Sequence, residues 1–156
     1  MPRLDKLNES TRNSILTLPV DVNATTPFQL PAKPLAQSRV AIVTSAGLHL
    51  RGDRAFTAGD PTYRVIPSSA PAGDLVQSHT SIGFDRTAVL EDVNVVYPID
   101  RLREMVAAGR IGALAPSCYS FMGAQRDTTP IKERTAPEVA QLLLRDDVGV
   151  VLLTPT

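Results

Sequence analysis

The sequence predicts an α/β domain built on a mainly parallel sheet flanked by helices, and three observations lead there. Arg39 to Thr44, RVAIVT, is a β-branched apolar run without strict alternation, the pattern of a strand buried on both faces. Thr135-Ala136-Pro137-Glu138 has the grammar of a helix start: an N-cap hydroxyl, an early proline and the third-position Glu of a capping box. That helix leads through Asp146-Asp147 into Val148 to Thr154, whose apolar run between Gly149 and Pro155 reads as a second, fully buried strand. Alternating strands and helices are the signature of parallel βαβ units. The sheet is expected to be incomplete at the C-terminus, because a buried parallel strand needs cover on both faces and nothing follows this one.

Taken in order, residues 1–38 form a proline-rich meander and residues 39–156 the α/β domain. Pro2, Pro19, Pro27, Pro31 and Pro34 remove backbone donors throughout the first segment, leaving room for one short helix on the spacing Leu4, Leu7, Ile15. After the RVAIVT strand, the small residues of SAGLHLRGD permit a tight turn. Pro61, Pro67 and Pro71 then mark GDPTYRVIPSSAPAGD as a long ordered loop, a kind of segment that is often functional. Asp74 to His79 is read as a short strand, and Val93 to Pro98 as another extended or buried segment. Asp100 is placed to cap a helix through RLREMVAA, with Leu102, Met105 and Val106 on one side and Gly109 as its stop. RIGALAPSCYSFMGA shows no clear period and suggests backbone packed closely against something else.

Composition narrows the function. The chain has 156 residues, 43% hydrophobic and 21% charged, which suits one globular domain with a real core. Lys plus Arg equals Asp plus Glu at 16 each, so no overall field favours nucleic acid or an anionic membrane. The charged start lacks the apolar region of a signal peptide and no run approaches ~18 apolar residues, which predicts a cytoplasmic protein that does not enter a membrane. A single cysteine, Cys118, allows no internal disulfide and no zinc spacing.

Several motifs were candidates for chemistry. Gly47 and Gly52 stand five apart after a strand, but Asp53-Arg54 follow where a phosphate loop needs Lys and a hydroxyl. His49 and His79 each stand by the end of an expected strand and could meet as an acid/base or metal pair with Asp60, Asp85 or Asp92; fixing a loop by hydrogen bonds is the plainer role. Cys118 lies among small apolar residues, where cysteine packs as a small hydrophobe rather than acting as a nucleophile. Arg51, Arg54 and Arg64, with Asp53 and Asp60, could hold a substrate carboxylate or simply form a solvated loop surface. From the residues alone the reading is a cytosolic α/β domain with a polar loop site, open to a non-redox module binding a small molecule or a partner and to a metal-assisted hydrolase using the two histidines.

Five blocks, in order, resemble the selenoprotein B family of glycine, sarcosine, betaine and D-proline reductases: RVAIVTSAGLHLRGD, GDPTYRVIP, Ser78-His79, EDVNVVYPIDRLREMVAAGRIGALAPSCYSFMG and VGVVLLTPT. The resemblance implies an oxidoreductase that cleaves a C–N bond of a small amino acid or amine, leaving a disulfide. It places the redox residue, a selenocysteine or cysteine, in the loop after the last strand, hence beyond Thr156. Selenocysteine is encoded by UGA, so the expectation is a chain ended where that codon was taken for a stop, inactive on its own in this reaction. The resemblance also implies a substrate pocket touched by Ser45, Gly47, His49, His79 and Asn94, and partners among other reductase subunits or a thiol reductant. No cofactor and no metal are expected in this chain, since the activating pyruvoyl group of such reductases belongs to a separate subunit.

Overall fold

A computed structural model describes residues 3–17, 24–25, 29–81 and 86–155. The first helix, α1 (Glu9–Leu16), starts where the Asn8 side chain accepts a hydrogen bond from the Thr11 amide at 2.8 Å. It buries no residue. Pro2, Pro19 and Pro27 lie outside the described residues, while Pro31 and Pro34 lead along exposed chain into a single tight turn at Leu35–Gln37.

The sheet is organised around β1 (Arg39–Thr44). On one side β1 pairs along its length with β7 (Val148–Thr154), and on the other with β5 (Ala113–Leu114) and then β6 (Ser117–Phe121), all parallel. An antiparallel strand, β3 (Tyr63–Pro67), closes the outer side of β6. A separate antiparallel ribbon joins β2 (Leu48–Leu50) to β4 (Leu75–Gln77). The architecture is thus α/β with a mainly parallel sheet, and β1 is buried on both faces: Val40, Ala41 and Ile42 are all at most 4% exposed.

One face of the sheet carries the main core, where Val40, Ile42, Ile66 and Cys118 pack with Leu48 and with residues of three helical segments. These are α2 (Arg86–Glu91) through Val89, the turn leading to Val96 and Tyr97, and α3 (Ile99–Ala107) through Ile99 and Leu102. Pleating sends Ala41, Val43, Tyr119 and Phe121 to the opposite face. There Tyr63 meets the edges of Tyr119 and Phe121, with ring centres 5.9 and 5.8 Å away. The last helix, α4 (Ala136–Arg145), runs back against β7. No helix among the described residues is long and apolar enough to cross a membrane.

Several local expectations are corrected. The proline-rich loop contains β3, which tolerates its prolines because it lies at the sheet edge and Pro67 ends it. Val93 to Val95 forms a tight helical turn rather than extended chain, although Val96 and Tyr97 after it are buried as expected. Asp100 is not the cap of α3; the Asn94 side chain accepts the Asp100 amide at 3.0 Å, and Asp100 instead sits within the first turn. Gly109 does follow the end of α3, in the left-handed conformation at φ 67°. The aperiodic stretch after it holds β5 and β6.

Nor does the last helix begin at Thr135. Helical backbone starts earlier, with a wide turn over Ile131–Thr135 in which the Ala136 amide reaches back five residues to Ile131. Pro137 has no amide and its ring crowds the carbonyl four residues earlier, so a widened turn just before it relieves the clash. Thr135 turns its hydroxyl to the Pro61 carbonyl at 2.8 Å instead of capping. Finally, β7 is not fully buried: Val151 and Leu152 are 37% exposed and Leu153 67%. An apolar run states what a strand would prefer to face, while its cover depends on other elements.

Close backbone packing sets one position. Gly112 donates to the carbonyls of Leu35 and Ser38, and a Cβ there would lie 2.8 Å from the Gln37 carbonyl carbon. Gly112→Ala should therefore destabilise the fold by about 1–3 kcal/mol in urea unfolding, with the m-value unchanged; Gly52→Ala, where a Cβ meets nothing within 4 Å, should cost far less.

Candidate functional site

Because β1, β6 and β7 are parallel, their carboxyl ends lie along one edge of the sheet, the edge at which α/β proteins gather ligands. The ends are tied together by polar bonds. The Ser45 amide donates to the Thr154 carbonyl at 3.2 Å, and the Gly123 amide to the Ser45 carbonyl at 2.9 Å. The hydroxyls of Thr44 and Thr154 both donate to the Val96 carbonyl, at 3.0 and 2.8 Å. Over these ends opens a cavity of about 450 Å³, bounded by Val43 to Ser45, Phe121 to Gln125, Thr128, Ile131 and Leu153 to Pro155. Among the described residues no charged side chain lines it, and Phe121 is the one aromatic.

The expected site residues fall in three places. Ser45 lines this cavity. Gly47 lies behind its wall, donating to the Phe121 carbonyl at 2.9 Å; it adopts φ 66°, and a Cβ would approach the His79 amide nitrogen to 3.1 Å. Only glycine suits both constraints. His79 is buried, and burial, followed by the charge of Arg86, holds its imidazole below the ordinary value, so it is neutral near pH 7. Its Nδ1 accepts the Ser81 amide at 3.2 Å. His49 belongs to β2, opposite Val76, and its Nδ1 lies 2.8 Å from the Leu50 carbonyl, so that nitrogen carries the proton. Its Nε2 is buried with no hydrogen-bond partner among the described residues. Asn94 lines a different cavity of about 350 Å³ with Leu48, Leu75 and Gln77, where its amide links Asp92 to Asp100.

The two histidines are not register partners, since His79 lies two residues beyond the Gln77 that faces Leu48. Among the described residues no group of three His, Cys, Asp or Glu side chains is arranged to hold a metal. Asp85 lies outside those residues, Asp60 pairs with arginines, and Asp92 is engaged by Asn94.

A parallel-strand edge with a small cavity fits many chemistries, and comparison with known proteins gives the family. The sequence profile of the glycine/sarcosine/betaine reductase selenoprotein B family matches residues 3–156. The chain belongs to this family. It is 42% identical over 123 residues to the D-proline reductase subunit gamma of Acetoanaerobium sticklandii, covering 78% of this chain and 50% of that one. It is 31% identical over 142 residues to the sarcosine reductase complex component B subunit beta of Peptoclostridium acidaminophilum, covering 88% and 32%. The chain thus spans from about a third to a half of the length of these curated relatives. No solved structure matches it.

Phe121 to Gln125 line the candidate site and were missed by sequence reasoning. Their signal was the small-residue turn after SCYSF, legible only once that segment is known to be a strand. The turn is held from below by Asp60, whose carbonyl accepts the Gln125 side-chain amide at 3.0 Å. Arg54 and Arg64 each reach the Asp60 carboxylate at 3.2 Å, whereas Arg51 bonds the Gly73 carbonyl and Asp53 accepts the Leu50 amide. Arg64 is occupied further, by Arg54, Tyr63 and Thr62, and stacks over Phe56 at 4.2 Å. Its guanidinium is therefore structural.

Burial pulls the Asp60 carboxyl upward, but hydrogen bonds from Thr62 and Arg64 outweigh it and hold the group below 3.8. Its stabilisation is present in full above the unfolded value and is lost as pH falls through the depressed folded value. Asp60→Ala should cost about 3 kcal/mol at pH 7, because Arg64 is left nearly buried and unpaired, and the difference from wild type should shrink in urea unfolding as pH drops below 3.8. Cys118 is 0% exposed, and burial raises its thiol more than the nearby Tyr97 hydroxyl and Ile42 amide lower it. Ellman's reagent should thus label native protein only as fast as it unfolds, and promptly in denaturant; rapid native labelling would refute this inert role.

Proposed function

We propose that the chain acts in a reductase that cleaves a C–N bond of a small amino acid or amine, with a thiol or selenol nucleophile supplied from outside the described residues. Family membership supports the reaction class. The observation that carries the assignment to this site is the convergence of three parallel strand ends on one small, uncharged cavity. Cys118 is unsuited to be the nucleophile, since it is buried under the sheet and its thiolate is disfavoured.

The step balances as a two-electron reduction. The chalcogenolate bonds to the carbon as its C–N bond breaks, and nitrogen leaves as the amine with a proton. A second thiolate then attacks the chalcogen, the carbon departs with a proton as the reduced product, and a disulfide or selenenylsulfide remains. A dithiol reductant returns it to the starting state. Such chemistry suits the reducing cytoplasm. Partner reductase subunits are proposed because the relatives are named as components of complexes.

Purified from its source cells with its partners, the protein should cleave the C–N bond of at least one of glycine, sarcosine, betaine or D-proline, releasing an amine from the first three or opening the ring of D-proline to a primary amine, with one dithiothreitol oxidised per bond cleaved. A Cys118→Ala form should retain that activity. Loss of activity in this variant, with its thermal unfolding unchanged, would place the nucleophile at Cys118 and overturn the scheme. No dithiol oxidation with any of the four would favour a non-redox binding module.

A further inference from the structure

We infer that Gln125 makes the carboxyl-edge cavity selective for a primary or secondary ammonium, and against a quaternary one, by offering its side-chain carbonyl to a substrate N–H. The inference rests on the substrate-site role proposed above for this cavity. Gln125 lines the cavity over the strand ends and also a neighbouring one of about 400 Å³, so it stands where the two join. Its Nε2 donates to two backbone carbonyls, Asp60 at 3.0 Å and Met122 at 2.9 Å. Two acceptors on one terminus determine the orientation of the amide, because the flipped form would set Oε1 against both carbonyl oxygens. Oε1 is then the end turned away from the backbone. It has no hydrogen-bond partner among the described residues, and Gln125 itself lines the cavity.

The rest of the lining makes this acceptor decisive. A quaternary ammonium carries no N–H and is held by several aromatic faces around the cation. Among the described residues Phe121 is the one aromatic that lines the cavity, and no carboxylate lines it to attract a methylated cation. A primary or secondary ammonium, by contrast, can donate to Oε1 in a charge-assisted hydrogen bond. The loop that carries the acceptor is held on either side of Ala124, where Gly123 donates to the Ser45 carbonyl and Gln125 Nε2 to those of Asp60 and Met122. Such rigidity suits a group that has to meet a small ligand at one atom.

Sarcosine and betaine, which differ only in methylation of nitrogen, are the probes. In calorimetry on the intact chain, sarcosine should bind about tenfold more tightly than betaine, the increment of one hydrogen bond to a charged donor. Gln125→Met, similar in length and unable to accept, should remove most of that preference. In case this variant loosens the loop, the wild-type protein gives a second readout. The carbon-13 resonance of the Gln125 side-chain carbonyl should move on adding sarcosine and stay in place with betaine. Equal binding of both probes, with shifts at Ser45 and Thr154 but none at the Gln125 carbonyl, would overturn this inference and leave the cavity's proposed role standing. Binding of neither probe, with no shift at any cavity residue, would overturn both.

Discussion

The structure depends on β1 being paired along both of its edges and buried on both of its faces. With β7 on one side and β5 and β6 on the other, all parallel, the strand cannot shift register without moving three partners at once. Ile42 and Ala41, adjacent in sequence, are both fully buried on opposite faces. This demand explains why RVAIVT lacks polar alternation, and why the layers on either side are built to cover it.

The same parallel order creates the site. Strands that run together end together, and the carbonyls and amides freed at their ends need partners. Thr44 and Thr154 satisfy Val96 with their hydroxyls, and Ser45 joins Thr154 to Gly123, so three strand ends and the approach to α3 are bound by short polar links. Hydrogen bonds leave the edge rigid without filling the space above it. A cavity with an ordered floor, and with no charged side chain among its described lining residues, is the result.

Beneath the edge, the buried polar groups serve structure. Asp60 neutralises Arg64 and binds Arg54, while its own backbone carbonyl anchors Gln125, so a charged cluster under the loop determines where a neutral amide points above it. Cys118 and Tyr97 occupy the main core, and burial raises both their protonation equilibria, keeping them neutral. His79, deprotonated by burial, supports the tight approach of Gly47. These groups have chemical potential in isolation, which the fold suppresses.

Much of the architecture was legible because it is local. The β-branched run of β1, the apolar side of α3 with Gly109 at its end, and the helix-to-strand passage into β7 each depend on residues near one another in the chain. β3 and β6 were hidden, since prolines and small polar residues mask a strand whose partners lie more than fifty positions away. For the candidate site, Ser45 and Gly47 entered through the family resemblance of the turn after β1, but Gln125 did not, because Asp60 and Met122 meet it only in space. The sequence by itself determined the fold class and the family, through residues whose preferences are met within a few positions. Tertiary structure alone decided the cap of α3, the exposure of β7 and the direction of the Gln125 carbonyl, because each depends on which distant groups arrive to pair with it or cover it.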